Sequence, residues 1–199
     1  MYKKRLSSLL LTTAILTSGC AGFKANKLPE VSANDIQFTT SDRTKVFSRW
    51  SIETTSSSIS EQAKVMGAAA HKKNFEDAII HSDCCILVEG PTEADVIVEG
   101  KAYAENNSAA LIPAFITGLS LYTIPSWVTS NIDISVEAKV GEVTQSYQLQ
   151  DSVTLVQWLP MLLAFPFADH PINSEKEVGE NTYNNLVLQM KNDGVLNKI

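Results

Sequence analysis

The side chains that could do chemistry are few and scattered in this chain of 199 residues. The three histidines are His71, His81 and His170. On one helix, His71 and His81 would point about 80° apart, so they do not converge on a metal ion. The sequence contains no P-loop, no dinucleotide-binding glycine pattern and no G-x-S-x-G nucleophile motif. We therefore predict no metal site and no cofactor, and we expect a protein that is not an enzyme.

Cys84 and Cys85 are adjacent, and two interpretations of the pair stay open. Both can be small buried thiols at the start of a strand, where neighbouring side chains point to opposite faces. Alternatively they form a disulfide, with each other or between molecules, as an oxidising compartment favours. Zinc binding together with His81 and Asp83 is disfavoured, because these closely spaced residues lack the usual loop between ligands.

The composition is that of a globular protein and argues against nucleic-acid binding. The 22 acidic residues exceed the 16 basic ones, which gives a net charge of −6 and a pI of about 5.1. An acidic protein repels phosphate backbones. Hydrophobic residues make up 44% of the chain, which is enough for a packed core.

Residues 1–19 have the order of a secretory signal peptide. A positive region (Lys3, Lys4 and Arg5) precedes an apolar run, residues 6–16, that is too short to span a bilayer as a helix. Residues 17–20 (TSGC) then resemble the lipobox of bacterial lipoproteins. This resemblance implies cleavage before Cys20, diacylglycerol on its sulfur, and acylation of its new amine with a fatty acid such as palmitate.

Ala21, rather than Asp, follows the cysteine. By similarity to enterobacterial lipoproteins, this implies a lipid-anchored protein of the outer membrane that faces the periplasm. The segment that follows is polar, lacks periodicity and contains Pro29, so we interpret residues 20–34 as a lipidated tether. Residues 35–199 are then predicted to form a single domain.

The first half of this domain alternates strands with one helix. Residues 46–54 are rich in β-branched and aromatic side chains and predict a strand. Ser58 and Glu61 form a capping box for a helix that ends near residue 80, and short strands follow at residues 84–89 and 94–104. The predicted core face of the helix consists of Val65, Ala68, Ala69, Phe75, Ala78 and Ile79.

The second half is centred on a β-hairpin. Residues 131–152 alternate between apolar and polar side chains around a two-residue turn, Gly141-Glu142. The register places Val136 opposite Tyr147 and, when extended, Val128 opposite Leu155. A last helix begins with the capping residue Ser174 and stops at Gly194, and its apolar stripe is Val178, Tyr183, Leu186, Val187 and Met190.

Together these elements predict an α+β fold. We expect a small antiparallel or mixed sheet with packed helices, and a β-hairpin that is flanked by two apolar segments. These segments are the apolar arms, residues 109–128 and 154–168, and neither contains a charged residue. The register of the hairpin makes both arms leave its open end side by side.

The arms allow three interpretations. A two-helix membrane crossing is poorly supported, because Pro113 and Pro125 break a helix in the first arm and Pro160 divides the second. Otherwise the arms are buried core or a subunit interface, or they form a shallow hairpin that dips into the leaflet holding the lipid anchor. The side chains that we expect to contact the membrane or a partner are Trp127, Trp158, Leu162, Phe165 and Phe167.

Residues 109–168 resemble a family of uncharacterised proteobacterial lipoproteins. The resemblance is carried by Ile124-Pro125 before the hairpin, by residues 151–154 (DSVT), and by residues 158–160 (WLP) and 165–167 (FPF). It implies an envelope localisation and a fold, without an assigned activity.

The sequence therefore predicts a membrane-anchored envelope lipoprotein with a non-enzymatic role in interaction or assembly. Its expected partners are the lipid bilayer, through acylated Cys20, and either an envelope protein or a second copy of itself, but not nucleic acid. One alternative is an oligomeric pore or secretion-channel component whose arms meet around an axis. Another is an envelope enzyme using Asp133 and Glu137, which we disfavour because the polar face of the hairpin explains both carboxylates.

Overall fold

The computed structural model describes residues 20–38, 43–55, 59–104, 111–161 and 171–197. Within them, six strands form one open sheet: β1 (Cys20–Lys24), β2 (Thr44–Glu53), β3 (Cys85–Leu87), β4 (Val96–Tyr103), β5 (Ser126–Val140) and β6 (Val143–Gln157). Four α-helices accompany it: α1 (Ala33–Ile36), α2 (Glu61–Ser82), α3 (Leu111–Leu119) and α4 (Pro171–Asn192). A 3₁₀ turn at Pro91–Glu93 precedes β4.

The sheet has the strand order β1-β6-β5-β4-β2-β3. Strand β2 pairs in parallel with both β3 and β4, whereas β1 with β6 and β4 with β5 pair antiparallel. A parallel pair needs a crossover connection, and α2 supplies it between β2 and β3. The structure thus confirms the predicted α+β fold with a mixed sheet.

The chain divides into two compact units. Strands β5 and β6 and helix α4 each have residues in both units. Among the described residues, unit 1 contains 20–25, 111–130, 153–161 and 171–176. Unit 2 contains 26–38, 43–55, 59–104, 131–152 and 177–197. The assignment of residues 35–199 to a single domain stays a prediction.

The core of unit 2 confirms the predicted inner faces of the hairpin and of the last helix. The hairpin buries Ile134, Val136, Ala138, Tyr147 and Leu149. Gly141 adopts a φ of +58° in the turn, a conformation that glycine tolerates without a steric penalty. All the residues predicted for the apolar stripe of α4 are buried, namely Val178, Tyr183, Leu186, Val187 and Met190.

The ends of α2 are defined by local hydrogen bonds. The helix begins after Ser60, whose hydroxyl oxygen accepts a bond of 3.2 Å from the backbone N–H of Ala63. The predicted capping residue, Ser58, lies outside the described residues. At the other end, Asp83 adopts a left-handed conformation and its N–H donates to the carbonyl of Ile80.

The predicted core face of α2 is correct only for its second half. Phe75, Ala78 and Ile79 are buried. In contrast, Val65 is 68% exposed and Ala69 is also exposed. Periodicity identifies the apolar side of a helix, but it does not reveal how many of its turns the rest of the protein covers.

Cys84 and Cys85 form a disulfide with each other, and both are buried. The interpretation as two thiols is therefore wrong. It assumed that a strand begins at Cys84, whereas β3 begins only at Cys85, directly after the turn at Asp83. Cys84 thus precedes the strand, and the alternation that separates neighbouring strand side chains does not apply to it.

Residues 20–34, which the sequence assigns to a lipidated tether, begin with a strand. The first of them form β1, which pairs with β6 from Cys20 opposite Gln157 to Lys24 opposite Val153. The open edge of β6 supplies backbone partners for any segment that reaches it, irrespective of side-chain periodicity. This strand pairing was therefore not visible in the sequence.

Residues 27–31, here called the strap, are fixed within unit 2 by side chains that bond to their backbone. The N–H of Lys27 donates to the buried carboxylate of Asp151 at 3.2 Å. Asn181 accepts from the N–H of Val31 at 2.9 Å and donates to the carbonyl of Pro29 at 3.1 Å. The strap is therefore an ordered part of unit 2.

Candidate functional site

Cys20 lies at the beginning of β1, an edge strand of the sheet. It is the one free cysteine of the chain, and its side chain is partly exposed. Partial burial raises the pKa of its thiol above the usual value. At the end of an edge strand, the sulfur can carry a substituent that extends away from the protein.

The hairpin strands β5 and β6, of which β6 pairs with β1, keep the predicted register in unit 1. The hydroxyls of Thr129 and Thr154 share a hydrogen bond of 2.9 Å, as expected for directly opposite residues. In this register Ser126 lies opposite Gln157, which is itself paired with Cys20. Cys20 is therefore at the same end of the three strands as the start of β5.

Aromatic side chains occupy one face of these three strands. Since opposite residues share a face, Ala21, Val156 and Trp127 form one row of side chains on that face. Phe23 lies two residues further along β1, on the same face. Trp127 is 66% exposed and Phe23 is 46% exposed. This face of unit 1 therefore presents large apolar side chains outward.

The segment from α3 to β5 turns sharply through two consecutive left-handed residues, Leu121 with a φ of 53° and Tyr122 with a φ of 61°. Such values are uncommon for residues other than glycine. The backbone N–H of Tyr122 donates to the carbonyl of Thr117 at 2.8 Å. The carbonyl of Tyr122 accepts from the N–H of Leu159 at 2.8 Å, which joins the turn to the segment after β6.

Hydroxyl groups bond to the backbone throughout this turn. Thr117 Oγ1 donates to the carbonyl of Pro113 at 3.0 Å, and Ser120 Oγ donates to that of Thr117 at 3.0 Å. Ser120 Oγ also accepts from the N–H of Ile124 at 3.1 Å, and Thr123 Oγ1 donates to the carbonyl of Ser120 at 2.7 Å. The polar side chains of the turn are thus used internally.

Several of the side chains that remain exposed in unit 1 are large and apolar. Leu121 is 77% exposed and Leu119 is 71% exposed. We call the following set the apolar surface: Phe23, Leu119, Leu121, Ile124, Trp127 and Leu159. These residues come from β1, from the end of α3, from the segment between α3 and β5, from β5 and from the residues after β6.

Of the five predicted contact residues, two lie within the described part of the structure, and these two differ in exposure. Trp127 belongs to the apolar surface, and Trp158 is partly buried. Leu162, Phe165 and Phe167 lie outside the described residues. The contact role of all five, and lipidation of Cys20, stay predictions. The sequence analysis missed Phe23, which it had assigned to the tether, and Leu121, whose exposure depends on the left-handed turn.

The first apolar arm does not form a spanning helix. It contains α3, which ends at Leu119, then the turn, and then the beginning of β5. In the part of the chain that the structure describes, no helix combines the length and the apolar character needed to cross a bilayer.

Unit 2 contains an aromatic cluster that includes one histidine. The Nδ1 of His71 and the hydroxyl of Tyr183 share a hydrogen bond. The ring of Trp50 stacks on His71, with 6.1 Å between ring centroids, and meets Tyr183 edge-on at 5.6 Å. Burial lowers the pKa of His71 and raises that of Tyr183. Both groups are therefore held neutral, which suits a packing role.

Acidification is expected to destabilise unit 2 through His71. The unfolded chain binds a proton at this residue near pH 6.5, whereas burial disfavours that proton in the folded state. The stabilisation is complete above about pH 6.5 and is lost as the pH falls below it. Urea unfolding at about pH 7.5 and about pH 5.5 measures this loss, which should decrease in His71→Gln.

The exposed His81 provides the control for this experiment, as His81→Gln should keep the pH dependence of the unmodified protein. If His71→Gln also kept it, other groups would be responsible for the effect of acid.

Comparison of the sequence with models of known protein families and with characterised proteins finds no match. Among solved structures, the fold is similar to a PelC dodecamer from Paraburkholderia phytofirmans, at 9% identity and a TM-score of 0.35, covering 85% of this chain and 97% of that one. It is also similar to a DUF4136 family protein from Bacteroides thetaiotaomicron VPI-5482, at 12% identity and a TM-score of 0.29, covering 90% and 97%. Both TM-scores lie below 0.5, so neither similarity assigns a function to this chain.

Proposed function

We propose that this protein is a non-enzymatic lipoprotein of the bacterial envelope, anchored through acyl chains on Cys20. In this role unit 2 is held at the membrane, where it binds another envelope component. Attachment to the periplasmic side of the outer membrane, which Ala21 suggests by resemblance, is part of the proposal.

The observation that carries the proposal is the position of Cys20. It is the free cysteine of the chain, and it follows residues 1–19, which have the order of a lipoprotein signal peptide. It opens an edge strand in a unit whose exposed side chains are mainly apolar. Two or three acyl chains on one residue suffice for stable anchoring, whereas one chain is marginal.

Two carboxylates of unit 2, those of Glu137 and Glu99, are explained without a catalytic role. Glu137 is exposed on β5, where solvation explains its charge. Glu99 forms ion pairs with Arg49 at 2.6 Å and with Lys139 at 3.3 Å. Acid–base catalysis needs a carboxylate that is directed into a cleft, and these groups are directed to solvent and to basic partners instead.

Labelling with radioactive palmitate tests the anchor. We expect the wild-type protein to incorporate label and Cys20→Ser to incorporate none, because the other two cysteines are joined in a disulfide. Globomycin should cause an unprocessed precursor to accumulate. Cys20→Ser should also lower the share of protein that stays in the membrane fraction in high salt, since acyl chains resist salt extraction.

The double variant Cys84→Ser/Cys85→Ser is the matched control and should keep its label. Equal membrane recovery of wild-type and Cys20→Ser protein, without palmitate in either, would contradict the proposed anchoring. Density-gradient separation of the two bacterial membranes then tests the outer-membrane assignment.

A further inference from the structure

The proposed acyl anchor does not by itself explain the apolar surface of unit 1, since an anchor through acyl chains needs no exposed leucine or tryptophan. Single exposed apolar residues are normal on proteins, but here several lie within one compact unit, in which Phe23 and Trp127 share a strand face and Leu159 is bonded to the turn that contains Leu121. Residues 111–130 and 153–161, which contribute most of this set, contain no charged side chain. The side chains of this region are therefore suited to contact with an apolar environment.

We propose that the apolar surface enters the phospholipid leaflet that holds the acyl chains of Cys20. This inference rests on the proposed anchoring and adds a second attachment, made by side chains. The occupant of the surface is the boundary between headgroups and hydrocarbon, which apolar side chains of peripheral proteins enter by about 5–10 Å.

The position of Cys20 supports this arrangement. Cys20, Gln157 and Ser126 form one row across β1, β6 and β5, and Trp127 follows Ser126 directly in β5. Acyl chains on Cys20 therefore leave the protein at the end of the strands where Trp127 is exposed. The side chain of Cys20 belongs to the opposite face of the strands from Trp127, so the acyl chains and Trp127 share the end of the strands and not a face.

Backbone groups of this region form hydrogen bonds within unit 1, as an environment without water requires. Each unpaired backbone group costs several kcal/mol in hydrocarbon. In the turn, the backbone groups of Tyr122, Ile124 and Leu159 are bonded within the unit, and hydroxyl groups serve the carbonyls of Pro113 and Thr117. Leu121 and Tyr122, both left-handed, form the sharp turn of the chain, and these hydrogen bonds are made within it.

The same residues fit a lipid surface better than a protein partner. Protein interfaces surround an apolar centre with a polar rim and favour arginine. Residues 111–130 offer neither a charge nor an amide side chain for such a rim. Tryptophan and tyrosine are enriched where headgroups meet hydrocarbon, and Trp127 and Tyr122 occupy this part of unit 1.

Fluorescence quenching by brominated lipids tests the proposal on the processed protein. Protein purified from bacterial membranes is reconstituted in vesicles of phosphatidylethanolamine and phosphatidylglycerol that contain phosphatidylcholine brominated near the top of its acyl chains. We expect a loss of about one third of the total emission, the share of one tryptophan in three. Trp127→Phe should abolish this loss, whereas Trp158→Phe should keep it.

A charge on the apolar surface provides a second variant. Leu121→Asp places a carboxylate on the most exposed leucine and should reduce the quenching of Trp127 several-fold. Val65→Asp, at a similarly exposed position in unit 2, is the matched control and should leave the quenching unchanged.

Each other outcome overturns the proposal. Quenching of Trp127 by aqueous iodide instead of by brominated lipid would place the side chain in water. Protection from both quenchers would show that a second copy or another protein covers it. Intact mass of the same sample reports the acyl chains separately, so an acylated protein with unquenched Trp127 overturns the leaflet contact alone, whereas a protein without acyl mass overturns the anchor.

Discussion

Replacing Gly100 by alanine is expected to lower the free energy of unfolding by about 1–3 kcal/mol, the cost of overpacking a core. Gly100 in β4 lies directly opposite Trp50 in β2, and a Cβ at Gly100 would overlap the indole ring. The ring has little freedom to move away, because it packs on Phe75, His71 and Tyr183. Urea unfolding followed by circular dichroism measures the change.

Gly118→Ala is the control, since a Cβ at Gly118 meets no atom within 4 Å and alanine favours a helix. A smaller side chain at position 50 should relieve the clash, so we expect Gly100→Ala/Trp50→Leu to lose less than the sum of the two single changes. Additive losses would show that the clash with Trp50 is not the cause.

Replacing Asn181 and Asn185 together by alanine is expected to cost about 3 kcal/mol, because three hydrogen bonds to the strap are lost at about 1 kcal/mol each. Asn181 binds the N–H of Val31 and the carbonyl of Pro29. Asn185 donates to the same carbonyl at 2.8 Å. The double variant should also exchange the amide hydrogen of Val31 faster, which hydrogen-exchange mass spectrometry reports.

The matched control is Asn184→Ala, a change of the same residue type in the same helix at a half-buried position. It should unfold close to the wild-type midpoint. If the double variant were equally stable, the strap would be held by its other contacts, such as the bond from Lys27 to Asp151.

Local patterns predicted the hairpin and the last helix because each carries its own signal. Strict alternation fixed the inner face of β5, and the turn at Gly141 then fixed the pairing far along both strands, as the contact between Thr129 and Thr154 shows. In α4, an apolar stripe with helical spacing is buried throughout. Neither prediction needed knowledge of distant contacts.

The parts of the candidate site that the sequence did not predict depend on distant contacts or on backbone conformation. Strand β1 exists because the edge of β6 is open to it, although Ala21 and Gly22 have low strand propensity. The exposure of Leu121 is linked to its left-handed backbone. The spacing of leucines in the sequence does not predict this conformation. The exposed first half of α2 shows the same limit, since Val65 is apolar and fits the helical spacing.

The bond between Cys84 and Cys85 has a practical consequence for work on this molecule. The chain has three cysteines, and this bond occupies two of them. In the proposed lipid-modified form of Cys20 no sulfhydryl is left to react with maleimide, whereas the chain without lipid still presents one. Maleimide would therefore distinguish unmodified from lipid-modified protein in a single gel lane, and in the lipid-modified form a cysteine introduced at a chosen surface position can carry a spin label or a dye without removal of the native ones.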